Sequence, residues 1–138
     1  MRLLLGSGGF RTPERVAFLA ERMRAFFGPV ERILFIPYAL RDHDGYVETM
    51  RQRGLDAGYR LEGIHRFADP VAAVAEAQAI SVGGGNTFRL LYELYARGLL
   101  GTIRRRVLSG LPYQGVSAGC NVACPTIKNT NDFLTQPI

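Results

Sequence analysis

Short apolar segments alternate with longer amphipathic ones along almost the whole chain, and this alternation restricts the fold more than any other feature. Apolar, strand-like runs occur at residues 2–5, 33–36, 60–65, 79–82 and 112–116. Apolar residues at helical spacing fill the intervals between these runs. Strands that alternate with helices favour a parallel sheet covered by helices on both faces. The sequence therefore predicts an α/β fold.

Capping and turn residues divide the intervals into predicted helices. The first helix starts with Thr12 as its N-cap and Pro13 at its first position, and Gly28 ends it. Further helices are predicted at residues 46–57, 71–78 and 87–97, followed by one that ends near residue 108. With 138 residues the chain has the size of one domain, which is predicted to span residues 1–138.

Charge and composition argue against several classes of protein. The 17 basic side chains, all arginines except Lys128, are scattered along the chain, which carries a net charge of +5. The run from Arg104 to Arg106 is predicted to be a solvated helix face, so nucleic acid is not an expected partner. The apolar runs are too short for a signal peptide or a membrane span, and a cytoplasmic location is predicted.

The cysteines and one acidic loop are weak candidates for metal binding. Cys120 and Cys124 lie four residues apart on one predicted helical turn, which makes them poor disulfide partners and favours a reducing compartment. Cys120 is also expected close to a helix N-terminus, an environment that lowers a thiol pKa. Asp42, His43 and Asp44 are consecutive and cannot all face one ion. Neither a metal nor a cofactor is therefore predicted.

The segment Gly115-Val116-Ser117-Ala118-Gly119 has the G-x-S-x-G pattern of a nucleophile elbow, in which a serine occupies a tight strand-to-helix turn. Its context fits, because a predicted strand precedes it and small residues that can begin a helix follow it. Glycines two positions before and after the serine let the turn close where a Cβ would collide. By itself, the pattern leaves two interpretations open: a nucleophilic serine, or a small residue in a glycine-rich turn.

Three consecutive glycines, Gly83 to Gly85, follow the predicted fourth strand and precede Asn86 and Thr87. They either permit a chain reversal before a helix capped by Asn86 or Thr87, or bring backbone N–H groups close to a reacting carbonyl. Ligands of parallel sheets bind beyond the carboxyl ends of the strands. This loop and Ser117 are both expected at that edge, where they should meet.

Together these motifs resemble peptidase E, the family of α-aspartyl dipeptidases. The resemblance rests on residues 82–88, 115–119, 121–127 and 130–132, supported by residues 33–38 and by the helix start at residues 69–70. Members of the family are serine peptidases with a flavodoxin-like fold similar to that of class I glutamine amidotransferases. The resemblance implies hydrolysis of dipeptides that have an N-terminal aspartate.

The resemblance also implies roles for the matching residues. Ser117 would be the catalytic nucleophile, and the backbone N–H groups of Gly85 and Ala118 would form the oxyanion hole. Residues expected near the substrate, as candidates for binding its aspartate carboxylate, are Asn86, Thr130, Asn131 and Asp132, with the backbone of Gly8 and Gly9.

A general base is missing from the place where the resemblance requires it. The family's histidine and its orienting acid follow the serine, and this chain has no histidine after Ser117. We therefore expect both groups beyond Ile138, a chain truncated after the elbow helix, and loss of activity for these residues alone. Residues 133–138 also fit the family pattern poorly. A truncated sheet has an unpaired edge, which predicts a homodimer or association with a missing C-terminal segment.

Other assignments stay open at this stage. His65 ends the third predicted strand on the correct edge for a base, although a packed or capping role is the more frequent one for such a residue. His43 is expected in a solvated loop. The remaining alternatives are a non-catalytic binding or interaction module that keeps the fold, and an amidotransferase-like or cyanophycin-degrading hydrolase.

Overall fold

The computed structural model describes residues 1–132, and a five-stranded parallel sheet forms its centre. The strands are β1 (Leu3–Gly6), β2 (Arg32–Ile36), β3 (Arg60–Gly63), β4 (Ile80–Val82) and β5 (Tyr113–Val116). Their order is β1-β5-β4-β2-β3, and each neighbouring pair is parallel. The predicted parallel α/β fold is confirmed. Residues 133–138 of the predicted single domain lie outside the described residues.

Helices connect successive strands. They are α1 (Pro13–Phe27), α2 (His43–Gln52), α3 (Pro70–Glu76), α4 (Thr87–Ala96), α5 (Leu99–Leu108) and α6 (Ala118–Asn121). The predicted cap of α1 is present, because the Thr12 hydroxyl accepts a hydrogen bond from the Arg15 N–H. Within residues 1–132, none of the helices combines the length and the apolar character that crossing a membrane requires.

The start and end of α2 differ from the prediction. The helix begins at His43 rather than residue 46, because the Asp42 carboxylate caps it by accepting a hydrogen bond from the Gly45 N–H at 2.9 Å. It ends at Gln52 rather than residue 57, since the backbone turns to positive φ at Gly54. The expectation that His43 lies in a solvated loop is therefore wrong.

The third strand is also shorter than predicted. It ends at Gly63, and a 3₁₀ turn at Ile64–Arg66 follows. His65 therefore lies in that turn and not at the end of a strand.

Two apolar cores cover the two faces of the sheet. Ile33 and Phe35 of β2 pack with α1 and α2, whereas Leu34 and Ile36 pack with the helices α3, α4 and α5. Successive strand residues point to opposite faces, so a strand that is apolar at every position serves both cores. This arrangement confirms the prediction of helices on both faces.

At one end of the sheet, β1 is paired within the described residues only with β5. Leu3 and Leu5 on this strand keep 37% and 45% of their surface exposed. Within the described residues, β1 is therefore an edge strand with partly exposed apolar side chains.

Candidate active site

Ser117 occupies a strained turn between β5 and α6. Its backbone has φ 52° and ψ −109°, and the other non-glycine residue with positive φ within residues 1–132 is Ala57. Such a conformation costs about 1 to 3 kcal/mol and occurs mainly at functional sites. The Ser117 side chain is exposed at the carboxyl end of β5. A turn of this kind presents the hydroxyl to a ligand above the sheet.

The glycines on either side of Ser117 are required by close backbone contacts. A Cβ at Gly115 would lie 2.7 Å from the carbonyl carbon of Gly119, and a Cβ at Gly119 would lie 2.9 Å from the carbonyl carbon of Val82. Backbone atoms of neighbouring elements cannot retreat as a flexible side chain can. The structure therefore supports the expectation that these glycines let the elbow close.

Hydrogen bonds hold the elbow against β1 and α6. The Ser117 N–H donates to the Gly6 carbonyl oxygen at 3.0 Å, and the Ser117 carbonyl accepts from the N–H of Cys120 at 2.8 Å. The buried Tyr113 hydroxyl donates to the Gly119 carbonyl oxygen at 2.6 Å. The unusual backbone of Ser117 is thus supported from both sides.

The glycine loop lies directly against the elbow, as expected. A Cβ at Gly84 would lie 3.0 Å from the Ser117 Cβ and 3.2 Å from the Val116 carbonyl oxygen. Gly85 has φ 140°, and a Cβ there would lie 2.5 Å from the Ala39 carbonyl oxygen. The loop therefore passes so close to Ser117 on one side and to the loop after β2 on the other that side chains are excluded.

Asn86 and Asp132 both lie at the start of α4. The Asn86 side chain caps this helix by accepting from the Arg89 N–H at 3.0 Å. The Asp132 carboxylate accepts from the Thr87 N–H at 2.7 Å. Asn121 of α6 adds a hydrogen bond from its side-chain N–H to the Thr87 hydroxyl at 3.0 Å. The segment at residue 132 and the helix after Ser117 are thereby joined to α4.

The hydrogen bonds at Asp132 stabilise its charged form. Partial burial opposes ionisation, but the bonds from Thr87 and Thr130 outweigh it and lower the pKa of Asp132 below its usual value. A carboxylate is also the favoured group at a helix N-terminus. Asp132 therefore stabilises the start of α4, a contact that the sequence patterns did not indicate.

The other residues expected near the substrate differ in their surroundings. Thr130 accepts a hydrogen bond from the Asp132 N–H at 3.2 Å, and Asn131 is exposed. Gly8 and Gly9 line a cavity of about 230 Å³ that also borders Ser117. A larger groove of about 640 Å³ lies along β3, and Ser117 is not among its lining residues. The smaller cavity is therefore the space next to the candidate nucleophile.

The histidines lie far from Ser117. Two strands, β4 and β2, separate β5 from β3, which corresponds to about 14 Å at the usual strand spacing. His65 follows β3, and its Nε2 is 2.6 Å from the Asp44 carboxylate. His43 packs between the rings of Tyr38 and His65. Neither histidine is placed to accept a proton from Ser117.

Cys120 has a structural role. Its thiol donates to the carbonyl oxygens of Gly6 and Gly115 at 3.0 and 2.9 Å. Burial raises the pKa of the Cys120 thiol, although hydrogen bonds from neighbouring backbone partly oppose this. The expectation of a lowered pKa is therefore wrong, because the effect of burial on the Cys120 pKa outweighs that of the backbone hydrogen bonds. Within residues 1–132, both cysteines are free and no cluster of potential ligands is arranged for a metal ion.

Tyr46 makes a further contact at this site that the sequence patterns did not indicate. Its hydroxyl donates a hydrogen bond to the Gly84 carbonyl oxygen at 3.0 Å. Nothing in the sequence pattern links a tyrosine in α2 to a glycine 38 positions later. The arrangement as a whole places an exposed serine beside a loop of glycines.

Comparison with known proteins gives a consistent result. The chain matches Peptidase family S51 over residues 2–137. It is 50% identical over 118 residues to a protein named peptidase E from Streptomyces coelicolor, covering 85% of this chain and 49% of that protein. It is 55% identical over 105 residues to a probable alpha-aspartyl dipeptidase of Drosophila melanogaster, covering 75% and 44% respectively. The chain thus spans about half the length of these relatives.

Solved structures show the same likeness. A putative peptidase E from Listeria monocytogenes is 26% identical with a TM-score of 0.69, and the match covers 91% of this chain and 63% of that one. A peptidase from an acI-B1 actinobacterium is 26% identical with a TM-score of 0.58, and the match covers 85% and 54%. The fold described above is therefore shared with proteins of this kind.

Proposed function

The chain belongs to peptidase family S51, and from that premise we propose that it is the nucleophile-bearing part of a serine dipeptidase acting on dipeptides with an N-terminal aspartate. The names of its relatives, peptidase E and probable alpha-aspartyl dipeptidase, support this substrate class. The observation that carries the proposal is the strained, exposed Ser117 beside the glycine loop.

In the proposed reaction, the Ser117 hydroxyl attacks the carbonyl carbon of the scissile peptide bond. The N–H groups of Gly85 and Ala118 donate to the negatively charged oxygen that develops on that carbon. The second amino acid departs as its amine takes up the proton removed from the serine, which leaves an acyl ester on Ser117. Water hydrolyses this ester, releasing aspartate and restoring the serine hydroxyl. We propose that the base that removes the hydroxyl proton lies outside the described residues. The acidic residue that orients this base would also lie there.

The aspartate side chain of the substrate would occupy the cavity beside Ser117. Backbone groups of Gly8 and Gly9 line this cavity, and Asn86 follows the glycine loop at the same edge of the sheet. Asp132 would act indirectly, since its own carboxylate is already bonded to the Thr87 N–H and would repel that of a substrate. We also propose that the enzyme is cytoplasmic and that its substrate is a small peptide. It would be either a homodimer or associated with a further segment.

A serine-to-alanine pair tests this proposal. In the complete natural protein, we expect Ser117→Ala to lower kcat/KM for Asp-Leu at least about 10³-fold, because the nucleophile is lost. Ser109→Ala is the matched control, since Ser109 donates only to the Arg105 carbonyl at the end of α5. Turnover of Asp-Leu that survives in Ser117→Ala would exclude Ser117 as the nucleophile.

The substrate panel separates the proposal from its alternatives. Asp-Leu, glutamine and cyanophycin should be offered to the same preparation of the unmodified protein. We expect release of aspartate from Asp-Leu at a rate well above any reaction with the other two. Faster reaction with glutamine or cyanophycin would favour an amidotransferase-like or cyanophycin-degrading enzyme, and no reaction with any of them a binding module.

A further inference from the structure

Tyr46 of α2 lies against the glycine loop and forms a hydrogen bond with it. The tyrosine hydroxyl donates to the Gly84 carbonyl oxygen at 3.0 Å. Its ring packs edge-on against Phe35 of β2, with 5.1 Å between the ring centroids and 86° between the ring planes. The tyrosine backbone is held in the first turn of α2 by a hydrogen bond from its N–H to the Asp42 carbonyl oxygen. The hydroxyl is therefore fixed in position.

Tyr46 acts as a donor to the glycine loop. Burial raises the pKa of the Tyr46 hydroxyl, although its hydrogen bond to Gly84 partly opposes this. The hydroxyl consequently keeps its proton at any pH at which a serine peptidase operates. In the observed orientation of the peptide, the Gly84 carbonyl oxygen accepts from this hydroxyl, and a flipped peptide would lose that bond.

The absence of a Cβ at Gly83 leaves the space that the Tyr46 hydroxyl occupies. A Cβ at Gly83 would lie 2.6 Å from the Tyr46 hydroxyl oxygen and 2.8 Å from the carbon that carries it. Any larger residue at position 83 would displace the tyrosine from the loop. Gly83 itself is held to β2, because its N–H donates to the Ile36 carbonyl oxygen at 3.1 Å. The lack of a side chain at Gly83 therefore leaves room for the hydrogen bond between Tyr46 and Gly84.

The geometry of the peptide bond turns this contact into a constraint on Gly85. The C=O of Gly84 and the N–H of Gly85 belong to one planar trans peptide, so they point in opposite directions. Fixing the carbonyl oxygen on Tyr46 therefore fixes the direction of the Gly85 N–H. On the far side of Gly85, the Asn86 N–H donates to the Ala39 carbonyl oxygen at 3.0 Å. The Gly84–Gly85 peptide is held on both sides and cannot rotate freely.

We propose that Tyr46 is a positioning residue for the reaction: by holding the Gly84 carbonyl, it directs the Gly85 N–H towards the oxygen of the acyl group attacked by Ser117. This inference rests on the proposed function, in which Gly85 supplies an oxyanion-hole donor. A donor that rotates away by one peptide flip presents a carbonyl oxygen to the developing negative charge, which is repulsive. Tyr46 would therefore affect the transition state more than the binding of substrate.

The test is a comparison of two Tyr→Phe variants in the complete natural protein. Tyr46→Phe removes the hydroxyl and keeps the ring on Phe35. Tyr59→Phe is matched to it, because the Tyr59 hydroxyl also donates to a glycine carbonyl, that of Gly28 at 2.7 Å, and its ring packs on Phe27. We expect Tyr46→Phe to lower kcat for Asp-Leu about 10-fold to 100-fold with KM changed less than about twofold. Tyr59→Phe should change neither more than about twofold.

A kcat for Tyr46→Phe equal to that of Tyr59→Phe would overturn the proposal, and so would a loss that appears only as a higher KM. A second readout does not depend on the reaction. In ¹⁵N-labelled protein, the amide resonance of Gly85 should move by more than its linewidth in Tyr46→Phe and stay in place in Tyr59→Phe. If the unmodified protein cleaves no Asp dipeptide, the proposed function fails, and an unmoved Gly85 resonance would then separately overturn the role of Tyr46.

Discussion

At the scale of single residues, each glycine of the loop at residues 83–85 faces a different neighbour. In order, these neighbours are the Tyr46 hydroxyl, the Ser117 side chain and the Ala39 carbonyl. The sequence predicts that this loop and Ser117 meet, because both follow strands of a parallel sheet. It does not predict the other two neighbours, since contacts between distant segments leave no local pattern.

The glycines of the elbow lead to a prediction about stability. In Gly119→Ala, the new Cβ would collide with the Val82 carbonyl, and we expect the free energy of unfolding to fall by about 1 to 3 kcal/mol. Gly101→Ala is the control, because a Cβ in α5 would meet only the flexible end of the Arg105 side chain. There, alanine should raise stability by about 0.5 to 1 kcal/mol. Urea denaturation measures both changes, and equal effects would contradict the prediction.

At the scale of elements, the arginine run on α5 contains two kinds of residue. Arg104 and Arg105 are exposed, in agreement with the prediction of a solvated face. Arg106 is half-buried, and its guanidinium donates to the carbonyl oxygens of Val74 and Ala77 at the end of α3. The prediction is wrong for Arg106, because periodicity indicates which side of a helix faces the core but not where a neighbouring helix ends.

Two substitutions in this run should therefore have different effects. In Arg106→Met, the last carbonyls of α3 lose a charged donor, and we expect the free energy of unfolding to fall by about 1 to 2 kcal/mol. In Arg104→Met, the change should stay within about 0.5 kcal/mol. Methionine keeps an unbranched side chain at both positions. Similar destabilisation of both variants in urea would show that Arg106 does not support α3.

The boundaries of α2 show which local patterns are informative. The sequence predicts a helix at residues 46–57, whereas the observed helix is His43–Gln52. Asp42 moves the start to His43, since a carboxylate that caps the helix stabilises the first turn even without apolar residues. The earlier start adds a turn before Tyr46, whose N–H donates to the Asp42 carbonyl oxygen.

At the scale of the whole molecule, the class of fold follows from the sequence and the order of the strands does not. Alternating strands and helices predict a parallel sheet, whereas any of several strand orders satisfies the same pattern. The observed order, β1-β5-β4-β2-β3, places β5 beside β4, so the serine and the glycine loop become neighbours. The same order moves His65 to the opposite edge of the sheet. The separation of His65 from Ser117 thus follows from the strand order, which the sequence pattern does not determine.

Stability should depend on pH through His43. Burial, followed by the nearby His65, lowers the pKa of His43 below its usual value, with smaller effects from Glu93 and Arg97. The folded state then binds fewer protons than the unfolded state. The contribution of His43 to stability is therefore fully present above pH about 6.5 and is lost as the pH falls through the folded pKa.

His43→Phe tests this contribution, because phenylalanine keeps a ring between Tyr38 and His65 without a titrating group. We expect Tm to fall less steeply between pH 7 and pH 5 in this variant than in the parent. A comparison of the parent and the variant at pH 8, where neither His43 nor its phenylalanine replacement is charged, corrects for differences in packing. Identical slopes for the two proteins would show that His43 does not titrate in this range.

The different neighbours of the three loop glycines also imply an order in which the loop would decay in a lineage that no longer needed catalysis. Gly83 could vary only after both Tyr46 and the Phe35 ring had been replaced or displaced. Glycine at position 117 would remove the nearest contact at Gly84 and leave that with the Val116 carbonyl oxygen. Gly85 would persist longest, because its φ of 140° and its contact with the Ala39 backbone do not depend on any side chain. A descendant that kept only Gly85 would still have the backbone conformation of this loop at that position.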